Sequence, residues 1–94
     1  MALHRITAIF EKDKVYEKII NLDYVVSIEP YAEKENCYIR ITTTKETFSF
    51  VYNSMSDMKE DYDRIHQSVS DQFNSIHTVI DKCVDIKTEQ TLLG

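Results

Sequence analysis

The chain has 94 residues, of which 43% are hydrophobic and 29% are charged, and it carries a formal net charge of −5 at pH 7. A chain of this length forms one small domain, and its hydrophobic content is too high for a disordered segment. The negative charge argues against a general nucleic-acid binder, which needs Lys and Arg to neutralise phosphates. We therefore expect one globular domain over residues 1–94.

The first half of the chain alternates apolar and polar residues with a period of two, which is typical of half-buried strands. Cys37, Ile39 and Ile41, for example, share one face of a strand, and Tyr38 and Arg40 share the other. Segments with this pattern lie at residues 6–10, 15–20, 24–28, 37–42 and 47–52. Because short links join them, we expect an antiparallel meander or small open barrel of about five strands within residues 3–53.

The turns between these strands contain no glycine. The chain has one glycine, Gly94, whereas tight hairpin turns prefer pairs such as Asn-Gly. We expect longer turns, or turns that place Asp13, Asn36 or another residue at positive φ.

The second half of the chain changes to a helical period near Asn53. Apolar residues recur there in steps of 4, 3, 4, 4, 3, 4 and 3, at Met58, Tyr62, Ile65, Val69, Phe73, Ile76, Ile80 and Cys83. This spacing puts them on one stripe of a helix, which Ser54 can cap with Asp57 three positions later. We predict one helix at residues 54–84 and a frayed tail at residues 85–94, with a break at Ser68–Ser70 and two helices as the alternative.

The predicted fold class is α+β, with an antiparallel sheet followed by a long C-terminal amphipathic helix. An unbroken helix of this length would be about 42 Å long, whereas a compact chain of this size is about 30 Å across. The overhanging part of the stripe needs a partner, so we predict a homo-oligomer that assembles through the helix. The predicted interface comprises Tyr62, Ile65, Val69, Phe73, Ile76, Ile80 and Cys83.

No motif in the sequence predicts catalysis, a cofactor or a metal ion. The patterns of serine hydrolases, zinc peptidases, P-loops and dinucleotide-binding folds are absent. Cys37 and Cys83 fall on apolar faces, where cysteine usually acts as a small hydrophobic residue. On one helix, His66 and His77 would be about 16 Å apart along the axis, which is too far to bind one metal ion. We predict a non-enzymatic protein without catalytic, cofactor-binding or metal-binding residues.

The sequence contains no apolar run near the roughly 18 residues that a membrane helix needs, and no charged-then-apolar signal region. Two cysteines far apart in sequence are most simply reduced thiols. Both observations predict a cytoplasmic protein with no membrane partner.

Two pairs of residues are candidate contacts with a ligand or partner. Tyr38 and Arg40 share a strand face. An aromatic and a basic side chain on an open sheet can bind single-stranded nucleic acid, but the negative net charge argues against that function here. The alternative is that both are ordinary solvated or interface residues. His66 and His77 flank the predicted apolar stripe. The polar face of the helix, which either docks a basic partner or is solvated, carries Asp57, Glu60, Asp61, Asp63 and Asp71.

Three segments carry a partial resemblance to a family of small bacterial proteins. They are residues 21–30, 37–42 and 48–54, which read NLDYVVSIEP, CYIRIT and FSFVYNS. In this order they resemble the small flagellar FlbD-like proteins and related short bacterial and phage proteins. The matching positions are Asn21, Val25, Ile28, Glu29, Ile41, Thr42 and Val51. The family's hairpin glycine is missing and the long helix has no counterpart, so the resemblance implies a compact β module but no active residue.

The expected function is that of a small non-enzymatic interaction or regulatory protein of bacterial or phage type. It would self-assemble through its C-terminal helix and bind another macromolecule, with a protein as the expected partner. The alternative is a small-molecule binding protein, for example for a nucleotide, with a pocket between subunits that tyrosines and polar groups such as Arg40 line.

Overall fold

Seven β-strands, one α-helix and one 3₁₀ turn make up the computed structural model, which describes residues 2–71 and 75–90. In chain order they are β1 (Leu3–Phe10), β2 (Lys14–Asn21), the 3₁₀ turn (Leu22–Tyr24), β3 (Val25–Glu33), β4 (Asn36–Thr43), β5 (Glu46–Tyr52), α1 (Met55–Ser70), β6 (His77–Ile80) and β7 (Asp85–Gln90). Within these two described ranges, no helix is long and apolar enough to cross a membrane.

The strands form two sheets. The three-stranded sheet has the order β2-β1-β6, with β2 antiparallel and β6 parallel to β1. The four-stranded sheet has the order β3-β4-β5-β7 and is antiparallel throughout. The chain crosses through α1 from β5 of the four-stranded sheet to β6 of the three-stranded sheet, and it then returns to place β7 beside β5. Each sheet therefore includes one strand that follows the helix.

The inner faces of both sheets and of α1 contribute to one hydrophobic core. Alternation along each strand directs every second side chain inward, and Met58 and Ile65 of α1 lie on the same helix face because they are seven residues apart. The core cluster comprises Ile6, Ala8, Ile20, Cys37, Ile39, Ile41, Phe48, Phe50, Tyr52, Met58, Ile65, Ile80 and Cys83. The outer faces of the two sheets point away from this core.

The predicted fold, one antiparallel meander or small open barrel of about five strands followed by a long C-terminal helix, is wrong. The first five strands are divided between two sheets, and each sheet gains a strand from the segment after the helix. The helix has 16 residues, ends at Ser70 and lies in the middle of the chain. Residues 77–80, predicted as helix, and residues 85–90, predicted as a frayed tail, are strands. The helix ends in the Ser-rich segment where the sequence allows a break, but strands follow it rather than a second helix.

Residues 77–80 form a strand rather than a helix because β6 pairs in parallel with β1. Thr78 and Ile80 are buried beside Ile6 and Ala8, their register partners, while the alternate residues of β6 are exposed. A strand can bury these side chains against an open sheet edge, which a continued helix would leave unpaired. The helical spacing of Ile80 with its apolar neighbours therefore does not reflect a helix face.

The hairpin turns use residues other than glycine at positive φ, as the composition requires. Within the described residues these are Glu11 and Lys12, between β1 and β2, and Lys34, between β3 and β4. Asp13 and Asn36, the residues that the sequence suggests for this conformation, do not adopt it: Asp13 is the last residue of the first turn and Asn36 is the first residue of β4. The start of α1 is as predicted, because the Ser54 Oγ accepts a hydrogen bond from the backbone N–H of Asp57 at 3.1 Å.

A buried carboxylate connects the helix to β5 and to the segment between β6 and β7. Asp61 is fully buried, so its placement on a solvated polar face is wrong. It accepts a hydrogen bond from the Tyr52 hydroxyl at 2.9 Å and another from the backbone N–H of Lys82 at 3.0 Å. Arg64 lies 3.5 Å from Asp61 and 2.8 Å from Asp81. Burial raises the pKa of the Asp61 carboxyl, and the bonds from Lys82 and Tyr52 oppose that shift.

We expect Asp61→Ala to lower the free energy of unfolding by about 2–4 kcal/mol, because it leaves two buried donors without an acceptor. Urea unfolding followed by circular dichroism measures this loss. Asp63→Ala, an exposed neighbour on the same helix, is the control and should change stability by less than about 0.5 kcal/mol. Equal losses in the two variants would contradict the role of Asp61.

A buried histidine joins β1 to β6. His4 is 1% exposed, and its Nε2 lies 2.6 Å from the Thr78 Oγ1. Burial, and then the nearby His77, lower the pKa of His4 below its ordinary value of 6.5. The folded chain therefore keeps His4 neutral at pH values where the unfolded chain protonates it.

This difference in proton binding predicts that the protein loses stability as the pH falls below 6.5, the ordinary pKa of histidine. The unfolded state binds the extra proton there, so the free energy of unfolding decreases toward the folded-state pKa. His4→Gln removes this titration, and we expect a smaller loss in that variant between about pH 7 and about pH 5. Gln67→Ala, a change at a non-titrating exposed position of α1, should keep the wild-type loss in the same urea titrations. An unchanged pH dependence in His4→Gln would be inconsistent with this assignment.

Candidate functional site

The outer face of the four-stranded sheet forms a cleft of about 530 Å³. β4 and β5 supply its floor, and the flanking strands β3 and β7 supply its walls. The side chains that line it are polar or aromatic: Ser27, Glu29, Tyr31, Glu33, Tyr38, Arg40, Thr42, Thr47, Ser49, Lys87 and Glu89. We refer to these residues as the sheet cleft. A volume in this range is typical of ligand-binding sites.

The strand register places four polar residues in one row across the sheet cleft. Glu29 on β3 pairs with Arg40 on β4, Arg40 pairs with Ser49 on β5, and Ser49 pairs with Lys87 on β7. Directly opposed side chains in antiparallel strands are about 5 Å apart at Cβ. Arg40 and Lys87 therefore flank the Ser49 hydroxyl on the floor of the cleft.

An aromatic pair lies next to this row. Tyr31 and Tyr38 are register partners, and their rings stack with centroids 4.8 Å apart and an interplanar angle of 15°. The Arg40 guanidinium carbon is 4.7 Å from the Tyr31 ring, and the Lys87 Nζ is 5.8 Å from the Tyr38 ring. Such cation–π contacts restrict long cationic side chains. The two cations therefore lie next to the aromatic pair.

The charges of the sheet cleft are mixed. Arg40 lies 3.7 Å from Glu29, but both side chains are exposed, so this ion pair is weak. Lys87 forms no salt bridge among the residues that the structure describes. Arg40 and Lys87 can therefore turn to a bound carboxylate or phosphate, while Glu33 and Glu89 add negative charge at the edge of the cleft.

The residues of the predicted helical interface do not form one surface. Ile65, Ile80 and Cys83 are buried in the core of the chain itself, and Tyr62 and Val69 are half-buried against it. Ile76 is exposed in the segment before β6, and Phe73 lies outside the described residues. The prediction that the chain self-assembles through these residues depends on a continuous helix, and the end of α1 at Ser70 removes that basis.

The four predicted contact residues lie in two different regions. Tyr38 and Arg40 are adjacent on the floor of the sheet cleft. His66 is exposed on α1, with its ring 6.0 Å from that of Tyr62. His77 is exposed on β6, where its Nε2 lies 2.8 Å from the Thr7 Oγ1. The two histidines thus belong to different elements and neither lines the cleft.

The described residues contain no group of three or more His, Cys, Asp and Glu side chains that could hold a metal ion. Cys37 and Cys83 are both free and buried. Burial, and then the neighbouring Asp61 carboxylate, raise the pKa of the Cys83 thiol to about 12. This thiol is therefore a poor nucleophile at neutral pH.

The sequence does not point to four members of the cleft, Glu29, Tyr31, Ser49 and Lys87. Alternation indicates only that Ser49 lies on the outer face of its strand. Tyr31 follows Pro30, and the strand is expected to end at that proline. Lys87 falls in the segment predicted to fray, and only the pairing of β7 with β5 brings it opposite Ser49.

Comparison with known proteins found no relative of this chain. No protein-family model matches the chain, no curated protein matches it, and no solved structure matches it. The partial resemblance to FlbD-like proteins stays a prediction. An assignment of function rests on the geometry of the chain's own surfaces.

Proposed function

We propose that this protein is a small non-enzymatic interaction or regulatory protein that binds a partner protein in the sheet cleft. The observation that carries this proposal is the row in which Arg40 and Lys87 flank Ser49, next to the Tyr31–Tyr38 stack. This arrangement offers two cations and a hydroxyl to an acidic side chain, and aromatic rings to its neighbours.

A polypeptide suits the cleft better than a polyanion does. A carboxylate of the partner fits between Arg40 and Lys87, while the acidic groups Glu29, Glu33 and Glu89 repel a chain of phosphates and accept hydrogen bonds from backbone N–H groups. β7 is the edge of the sheet beside the cleft, and edge strands offer unpaired backbone groups to extended segments. An acidic, extended segment therefore matches both the side chains and the sheet edge.

A small anionic molecule with a planar ring, such as a nucleotide, is the second candidate. The cleft volume of about 530 Å³ is in the range of ligand pockets, and the tyrosine pair next to two cations favours a ring that carries a phosphate. This cleft belongs to one chain, so such a ligand needs no pocket between subunits. The three carboxylates make it the less favoured occupant.

We further propose that the protein acts in the cytoplasm as a homo-oligomer. The two free, buried thiols support a reducing compartment, because disulfides are rare there. The small size of the domain supports oligomerisation, because domains of this size bury only part of their surface.

Selection from a displayed library of random octapeptides tests the proposed function. We expect enrichment of peptides with Asp or Glu beside an aromatic residue. The double variant Arg40→Ala/Lys87→Ala should bind the enriched peptides at least about tenfold more weakly than wild type in fluorescence anisotropy titrations, because it removes charge-assisted hydrogen bonds.

The charge-matched control is Lys45→Ala/Lys59→Ala, two cations outside the cleft, which should bind like wild type. Enriched peptides that bind the Arg40→Ala/Lys87→Ala variant as tightly as wild type would place the site elsewhere. Binding of adenosine monophosphate that depends on Arg40 and Lys87, without any peptide enrichment, would favour the second candidate.

A further inference from the structure

The outer face of the three-stranded sheet is unusually apolar for an exposed surface. Its inner side chains fill the core, yet half of the outer side chains of its strands are also apolar, and Val15 and Ile19 are each 62% exposed. Of the nine exposed large hydrophobic residues in the described chain, five lie on this face, and Ile76 lies beside it in the segment before β6, where it lines a groove with Leu3 and Ile19; the other three are Tyr24, Val26 and Met55. The six are Leu3, Ile9, Val15, Ile19, Ile76 and Val79. We refer to them as the apolar face.

The strand register divides the apolar face into two ends with a charged centre. At one end Ile9 pairs with Val15, and Val79 lies one row closer to the centre, in the same row as Thr7 and Glu17. At the other end Leu3, Ile19 and Ile76 line a shallow groove of about 310 Å³. Thr7 pairs with Glu17 in the row between these ends, next to the row of Arg5 and Ile19.

The central charges are complementary to each other. The Arg5 Nη1 lies 3.6 Å from the Glu17 Oε1, and both side chains are about half exposed. This surface has one cation and one anion at its centre and apolar groups on both sides. It complements a rotated copy of itself, because a two-fold axis between the two charges brings the cation of each copy opposite the anion of the other. A partner of different sequence would need its own anion opposite Arg5 and its own cation opposite Glu17.

We propose that the apolar face binds the apolar face of a second copy of this chain and so forms a symmetric homodimer. A two-fold axis between Arg5 and Glu17 places Arg5 of each copy opposite Glu17 of the other. The apolar ends pack against each other on either side of these ion pairs. The sheets then stack face to face, as two sheets do in a β-sandwich.

The size of the face agrees with a specific but modest interface. Eight residues at about 3.3 Å each make β1 about 26 Å long, and the neighbouring strands widen the face on both sides. An interface between two such faces falls in the small class, below about 1,200 Å² in total, to which weak or transient protein–protein contacts belong. The dimer should therefore form in a concentration-dependent manner.

The dimer leaves the sheet cleft open, because the cleft lies on the outer face of the other sheet and shares no residue with the apolar face. Each dimer would present two clefts. A test of the dimer therefore does not depend on whether the sheet cleft binds a peptide, and either proposal can fail alone.

Sedimentation velocity over a range of concentrations tests the dimer through its charges. Wild type should sediment as a dimer at high concentration. Arg5→Glu puts a new Glu opposite Glu17, and Glu17→Arg puts a new Arg opposite Arg5, so each change should weaken the dimer by at least about a hundredfold. The double variant Arg5→Glu/Glu17→Arg exchanges the charges and should recover most of the affinity.

A matched pair of apolar substitutions provides the control. Ile19→Lys lies on the apolar face and should give a monomer, whereas Val26→Lys changes a residue that is equally exposed on β3 and should remain a dimer. Far-UV circular dichroism establishes that each variant is folded, and Val15→Lys replaces Ile19→Lys if the latter unfolds. A wild type that stays monomeric at all concentrations, equal dimerisation of Ile19→Lys and Val26→Lys, or a double charge variant as weak as the single ones would each overturn the proposal.

Discussion

The hydrogen bonds of the buried Asp61 join α1 to the elements before and after it, and the two proposed surfaces depend on this connection. One carboxylate on α1 binds the hydroxyl of Tyr52, at the end of β5, and the backbone of Lys82, in the segment between β6 and β7. It therefore joins α1 to β5, the strand before the helix. It also joins α1 to the segment between β6 and β7, the two described strands after the helix. A carboxylate in the core is costly unless donors surround it, so these contacts specify one position for the helix.

This position of the helix explains the surfaces on which the proposed functions depend. α1 returns the chain to the edge of β1, where β6 completes the three-stranded sheet and places Val79 on its apolar face. The segment at Lys82 then directs β7 back to β5, which brings Lys87 into the row of Arg40. Neither surface is complete without a strand that follows the helix. The same crossover therefore links the proposed dimer face to the proposed partner site.

Much of the first half of the chain could be predicted from the sequence, because an amphipathic strand must repeat every second residue. Tyr38 and Arg40 were assigned to a common face for this reason, and Ser54 marked the start of the helix through its capping chemistry. The end of the helix could not be predicted, since Ile76 and Ile80 fit a helical period while the burial of Ile80 comes from strand pairing. The division into two sheets depends on which edges remain open, and no local pattern encodes that.

Amide hydrogen exchange at Lys82 tests the central claim most directly. Lys82 lies outside every helix and strand, so its backbone N–H would exchange rapidly if it faced water. The hydrogen bond to the buried Asp61 predicts protection comparable to that of the core amides of β4 and β5. Exchange of the Lys82 amide as fast as that of an exposed turn such as Lys34 would contradict the account, because the chain would then lack the connection that directs β6 and β7 to their sheets.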